Sequence, residues 1–272
     1  MSSTQQLSVG SLYRYPVKSM LGETVDALDV DDRGARGDRQ WALVDDVTGR
    51  VASAKQARLW RTLLTCSARL DDGRVLISLP DGSTVTAGED GADDVLSAFL
   101  ARRVRMADSR EEGASLERAD PDQVLDRGVD AEVDAPLLEL AEATPGDSFV
   151  DFAPLHVITT ATLNHIGIEA QRYRPNVVVD TPPGYPPYAE NEWTGRTLVL
   201  GSARLTALGP TPRCVVPTLE HGRLGRAPQA LRTPAVENRV QSFDFGELPC
   251  AGSYVAVAVP GTLRVGTPFT VD

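Results

Sequence analysis

The chain has 272 residues, of which 42% are hydrophobic and 6% aromatic, and carries a net charge of −11. That length and apolar content suit one large or two small domains around a substantial core, while an acidic balance without any Lys/Arg-rich run argues against nucleic acid or an anionic membrane as a partner. Nearly all the excess falls between Asp108 and Asp147, where thirteen Asp or Glu face three Arg, so the remainder is close to neutral.

Three cysteines, Cys66, Cys214 and Cys250, are far apart and odd in number, which does not describe a disulfide framework. No Cys-x-x-Cys, zinc or iron–sulfur spacing occurs, and His156, His165 and His221 lack ligand spacing. The first residues show no basic start followed by an apolar run, and no apolar stretch approaches the roughly eighteen residues of a membrane span. The expectation is a reduced, cytoplasmic protein with no membrane partner.

In chain order, Leu7 to Tyr15 alternates loosely and reads as a strand that stops at Pro16, so that Lys18 and Ser19 follow a strand end, where side chains reach a site. Residues 23–32 read as a second strand, and the glycine-punctuated turn from Gly34 to Arg39 leads into Trp41-Ala-Leu-Val. Arg39 offers a planar fork that can donate two hydrogen bonds to one anion and keeps its charge; an Asp38–Arg39 pair taken alone reads as a surface ion pair worth little. Alternating stretches at 62–70, 74–79 and 83–87 are separated by the turn signals Asp71-Asp-Gly and Pro80-Asp-Gly. A short helix follows from Asp93, as its cap, to Arg103.

From Asp108 to about Asp147 the patterning weakens, and the stretch reads as a solvated, partly mobile connection with room for a short helix over 135–143. Order resumes with a strand through Ile158, then Thr159 and Thr160, the second a helix N-cap whose neighbouring N–H groups also suit an anion. Arg172-Tyr-Arg-Pro-Asn precedes the buried-looking strand Val177-Val-Val; Pro175 biases Arg174 toward an extended backbone, and Asn176 adds amide donors and an acceptor. The proline-rich loop 181–188 is long enough to lid a pocket and is the candidate for substrate selection. Strands at Thr197–Leu200 and Ala203–Leu208 deliver Gly209-Pro-Thr-Pro-Arg-Cys-Val-Val-Pro-Thr.

Pro210, Pro212 and Pro217 each fix φ near about −65°, so this last stretch reads as a stiff loop, outside helix and sheet. It holds Cys214 beside Arg213, and a cation beside a thiol favours the thiolate, the form that attacks or ligates metal. The segment from Thr218 to Glu247 reads as loop, with Asn238 near the site, and Cys250–Val259 and 261–271 read as strands paired with each other.

Thr211-Pro-Arg-Cys-Val-Val-Pro-Thr, with Glu192-Trp-Thr-Gly-Arg, Arg172-Tyr-Arg-Pro-Asn, Tyr15-Pro-Val-Lys-Ser and Gly37-Asp-Arg-Gln-Trp, resembles the MOSC family, the molybdenum cofactor sulfurase C-terminal domain, and its stand-alone members similar to amidoxime-reducing components. The end of the chain resembles the family's terminal strand motif, with Gly266-Thr267-Pro268 where Gly-Asp-Pro is usual. The resemblance implies a mainly β fold with some α (α+β). It comprises an N-terminal MOSC-associated β-barrel-like domain over 6–107, the acidic connection 108–147, and a MOSC β-barrel over 148–272.

It also implies that Cys214 is both the catalytic residue and the metal ligand. Lys18, Ser19, Arg39, Thr159, Thr160, Arg174, Asn176, Thr211, Arg213 and Cys214 would contact the molybdenum cofactor (Mo-pyranopterin dithiolene), Lys18, Ser19 and Arg39 at its phosphate end. One soft thiolate with several cations and hydroxyls from separate segments agrees with a prosthetic group whose metal takes a single protein sulfur. The family also carries an association with pyridoxal phosphate binding. The implied reaction is reduction of a small N-hydroxylated or N-oxide substrate by a monomer. The chain has no cluster cysteines, dinucleotide fingerprint or haem motif, so electrons would come from a separate ferredoxin, flavoprotein or cytochrome. The alternative is a carrier of cofactor, or of sulfur as a Cys214 persulfide.

Overall fold

The structure, a computed structural model, describes residues 6–272. Its main sheet runs in the order Phe269–Val271, Thr197–Leu200, Ala203–Pro212, Glu247–Val259, Leu155–Thr159, Val177–Asp180, Ser8–Arg14 and Glu23–Val25, with Arg239–Gln241 paired to Glu247–Val259 off this path. The sheet closes on itself: Val9 N donates to Thr267 O (2.9 Å), Gly266 N to Val9 O (2.7 Å) and Phe269 N to Leu7 O (2.9 Å). Closure joins the first strand to the last and wraps a core containing Val9, Leu12, Val157, Val179, Leu198, Leu205 and Val255. Among the described residues Leu155–Thr159 and Val177–Asp180 are the one parallel strand pair of the barrel, and helices Thr160–Ile166 and Ala170–Tyr173 make the crossover that parallel strands require.

The first strand is therefore part of the C-terminal barrel, paired antiparallel to Val177–Asp180. A second tie runs from Ala27–Asp31 to Gly261–Arg264. The remaining N-terminal residues build a separate core from Val17, Met20, Leu43, Trp60, Leu63, Ile77 and Leu96. This core lies under the meander Ser67–Asp71, Arg74–Ser78, Thr84–Thr86. The first meander turn is the one that Asp71-Asp-Gly promises, with φ of 47° at Asp72 and 80° at Gly73.

Several local expectations change. Residues 23–32 split into two strands about Asp26, and 61–65 form a 3₁₀ helix before the meander. Gly91 rather than Asp93 caps helix Ala92–Leu100; the Asp93 carboxylate accepts from Met106 N instead. In the acidic stretch, 135–143 holds the strand Leu137–Glu139, paired to Ser115–Glu117, and not a helix. The stretch packs Leu116, Leu140, Ala119 and Val124 into apolar clusters with both halves of the molecule. The segment after Thr218 carries helix Gln229–Glu237 and strand Arg239–Gln241. The strands at the C-terminus pair with Ala203–Pro212, Ala27–Asp31 and Thr197–Leu200 rather than with one another.

The cysteine segment departs most from its reading. The strand Ala203–Pro212 continues through Pro210 and Pro212, with register shifts between Ala207 and Gly209 and between Pro210 and Pro212. At such irregularities a ladder hydrogen bond is already missing, so a residue without N–H costs the sheet little. Cys214 follows the strand end, and Val216–Thr218 is a 3₁₀ turn.

Candidate functional site

Backbone pairing brings distant motifs together before any side chain acts. Arg39 N donates to Tyr15 O (2.8 Å), Trp41 N to Pro16 O (3.0 Å) and Lys18 N to Trp41 O (2.9 Å), which lays 15–19 against 38–41. Phe149 N donates to Arg39 O (2.8 Å), which adds 149–151, and Asn176 N donates to His156 O (2.8 Å), which adds 174–176. Between them lies a cavity of about 130 Å³. A single water needs on the order of 10–15 Å³ by that measure, so the space suits a larger molecule.

Eight of the ten residues singled out by the sequence line this cavity: Lys18, Ser19, Arg39, Arg174, Asn176, Thr211, Arg213 and Cys214. Thr159 and Thr160 do not. Thr159, not Thr160, is the helix N-cap, accepting from Thr162 N at 3.1 Å, and its backbone N–H goes to buried Glu190 (2.6 Å). The Thr160 hydroxyl meets Thr181 Oγ1 at 2.9 Å. Both hydroxyls are spent on fixing the crossover helix. Asn238 and the proline-rich loop 181–188 also stand outside the cavity: Asn238 binds Cys250 O and Asn191, and Tyr188 lies against His165.

The lining residues divide by what their polar atoms already do. Arg213 is buried; its guanidinium donates to Ala251 O (2.9 Å from Nε), Tyr173 O (3.3 Å) and His156 Nε2 (2.5 Å), and lies 4.4 Å from the Tyr173 ring centroid. It is a clamp between strands, not a free partner for Cys214. Because arginine always donates, His156 Nε2 accepts. Burial, then Arg213 and Arg39, hold the His156 pKa well below the ordinary imidazole range. Gly252 makes this packing possible: at φ 75° a Cβ there would stand 2.4 Å from His156 Nε2. The Asn176 amide is likewise committed, to His156 N and Tyr13 O.

Ser19, Arg39 and Arg174 have φ of 64°, 46° and 53°, in the left-handed region. For Arg174 this reverses the extended backbone expected before Pro175. Each costs on the order of 1 kcal/mol, a strain that clusters at functional sites. The Arg39 guanidinium pairs with buried Asp38 and donates to Arg174 O (2.9 Å). Arg174 donates to Met20 O and has no carboxylate partner among the described residues. Both guanidinium carbons sit within 4.5 Å of the Tyr15 ring centroid, and burial together with Arg39 lowers the Arg174 pKa to about 10.

Lys18 donates to Phe149 O (2.6 Å) and to Asp151 Oδ1 (2.8 Å), the oxygen that Lys55 Nζ also reaches at 3.1 Å. Burial pulls the Lys18 pKa down to about 8 against the opposing pull of Asp151. Burial works against ionised Asp151, but Lys18 and Lys55 overcome it and hold its carboxyl far below the usual range. Since the Lys18 pKa is 10.5 when unperturbed, the unfolded chain binds more protons than the folded one between pH 8 and 10.5, and stability rises with pH there. Comparing the parent with Lys18→Met by thermal denaturation from pH 7 to 10, this alkaline gain should appear in the parent alone. Equal slopes would refute the buried, charged lysine.

Asp151, Lys55, His156, Tyr254 and Arg118 also line the cavity and match no motif. Only Asp151 carried a local signal, a carboxylate inside the apolar run 149–158. The acidic stretch contributes Arg118, Leu138, Glu139 and Glu142 to the wall, so it is part of the site. Cys214 is partly buried against Ala54, Val124 and Leu219, whereas Cys66 and Cys250 are fully buried and burial raises both thiols to about 11. Among the described residues no three His, Cys, Asp or Glu stand together as a metal site, and no helix is long and apolar enough to cross a membrane.

Sequence models of two domains match the chain: the MOSC N-terminal beta barrel domain over residues 6–117 and the MOSC domain over 148–270. Among curated proteins, the human mitochondrial amidoxime-reducing component 1 is 23% identical, covering 96% of this chain and 82% of its own length. The bovine mitochondrial amidoxime reducing component 2 is 21% identical, with the same coverage of each chain. A solved structure, the YUAD protein from Bacillus subtilis, is 12% identical at a TM-score of 0.43, covering 98% of this chain and 95% of that one. With both domain models matched in order and amidoxime-reducing components among its relatives, the chain belongs to the MOSC family.

Proposed function

We propose that this protein is a molybdenum-cofactor oxidoreductase that reduces small N-hydroxylated or N-oxide substrates with electrons from a separate donor protein. The observation that carries the reading is the union, in one cavity, of a partly exposed thiol and a wall of cations: Cys214 with buried Lys18 and Lys55 and partly buried Arg39 and Arg174.

The donor set fits the group. Thr211 Oγ1 and Arg118 Nε are buried, line the cavity and find no hydrogen-bond partner among the described residues, so both have capacity for a polar ligand. Lys18, Arg39 and Arg174 would hold the anionic end, and Cys214 would supply the protein's sulfur to the metal. When bound, the group would supply the two-electron redox chemistry that converting an N–O substrate, with two protons, to the reduced nitrogen compound and water requires. The chain's part is placement and electrostatics. Thr211 sits in a barrel strand with Cys214 just past its end, and residues of the 149–156 segment line the space together with Tyr254 and Phe245. The two domain relatives named above for amidoxime reduction support the reaction class.

The test is metal analysis of protein purified from cells that make the cofactor, followed by turnover of an amidoxime with a chemically reduced viologen. Near-stoichiometric molybdenum together with reduction to the amidine is expected. Molybdenum without turnover would instead support the carrier, and absence of both would overturn the reading.

A further inference from the structure

Lys55 matches no motif, yet its backbone is anchored as firmly as those of the recognised residues. Ala54 N donates to the Ser19 hydroxyl at 3.0 Å, and the Lys55 carbonyl accepts from Ala119 N at 3.1 Å. Its ammonium is almost enclosed and lines the cavity. Of three N–H donors, only the contact to Asp151 Oδ1 is made among the described residues. Lys18 meets that same oxygen and spends another donor on Phe149 O.

The charges around this end of the cavity do not balance. Lys18, Lys55, Arg39 and Arg174 bring four positive charges, while Asp38 and Asp151 bring two negative ones, a surplus of two. A phosphate monoester near neutral pH carries a charge between about −1.5 and −2 and has three acceptor oxygens for unspent donors.

We propose that Lys55 is a phosphomonoester-binding residue of this cavity, and that Asp151 is the positioning residue that fixes the spacing of Lys55 and Lys18 by sharing one carboxylate oxygen between them. The proposal rests on the reading that the cavity holds a group with a phosphate end. It assigns to that end a cation and a carboxylate found by geometry alone. Lys18 faces Asp151, Lys55 and Arg39, so Asp151 is the only carboxylate among them and keeps Lys18 protonated near neutrality.

The experiment uses the full chain from cells unable to make the cofactor, with inorganic phosphate as the probe and thermal stabilisation as the readout. Phosphate should stabilise the parent at pH 7. Lys55→Gln should weaken its Kd by on the order of tenfold, the equivalent of one charge-assisted hydrogen bond of about 1.4 kcal/mol, and Lys55→Arg should recover most of that. In the parent, phosphate binding should fade as pH rises through about 8, where Lys18 loses its proton. In Asp151→Asn the same loss should come at lower pH, a shift that a purely structural carboxylate would not produce. Unchanged phosphate affinity in Lys55→Gln, no rescue by arginine, or no stabilisation of the parent would each overturn the proposal. None of these measurements needs metal or turnover. A parent that binds phosphate through Lys55 but takes up no molybdenum would count against the oxidoreductase alone.

Discussion

Cys214→Ser is expected to reduce turnover of an amidoxime at least about 1000-fold, a loss of roughly 4 kcal/mol of transition-state stabilisation, while leaving the bound pterin largely in place. The reason is a division of labour along the cavity. On the proposed function the anionic end would be served by Lys18, Arg39 and Arg174, which reach the wall from separate segments and whose side-chain hydrogen bonds go to Phe149 O, Arg174 O and Met20 O rather than to residue 214. The metal end would depend on one soft sulfur, and a serine hydroxyl is both harder and far less acidic. Steady-state rates with a chemical donor, set beside pterin content measured by fluorescence after oxidative release, separate the two. Parental turnover in the serine variant would remove Cys214 from the chemistry.

The largest stability effect should come from the next residue back. Arg213→Ala would orphan Ala251 O, Tyr173 O and His156 Nε2, all buried, and remove the guanidinium stacked on Tyr173. At about 1–3 kcal/mol for each unsatisfied acceptor, the loss should be at least roughly 3 kcal/mol. At about 2–4 °C per kcal/mol for a chain approaching this size, the midpoint should fall by on the order of 10 °C. Arg213→Lys should recover less than half, because an ammonium cannot reproduce the planar fork. Calorimetry at pH 7 checks both variants, and an alanine midpoint within about 2 °C of the parent would show that the clamp carries little.

These two neighbours also show what sequence can and cannot say. Cys214 was legible because its chemistry is intrinsic: a thiol framed by prolines, in a motif that resembles a family. Arg213 looked like the cation beside that thiol, but its donors are taken by Ala251 O, Tyr173 O and His156 Nε2 on neighbouring elements. The guanidinium therefore went into the strand packing. Thr159 and Thr160 also lie off the cavity, because the Thr159 hydroxyl serves the helix cap and the Thr160 hydroxyl meets Thr181. Lys55 was invisible because it has no periodic pattern or turn signal around it, and Asp151 showed only as a carboxylate in an apolar run; the tertiary contact of Lys55 and Lys18 with Asp151 gives them meaning. The helix Gln229–Glu237 was hidden by Pro234 within it, a residue that disfavours a helix interior.

The barrel is mostly strand as expected, but its membership was not readable, because pairing between residues 9 and 179 leaves no trace at either end of the chain alone. That pairing has a consequence during synthesis. Strand Ser8–Arg14 must wait for Val177–Asp180 to be made before its partner exists, and for residues 266–269 before the ring can shut. Such long sequence separations slow folding. They also mean that a fragment ending at residue 147 would carry an orphaned β-ribbon, whereas one beginning at 148 would lack a stave.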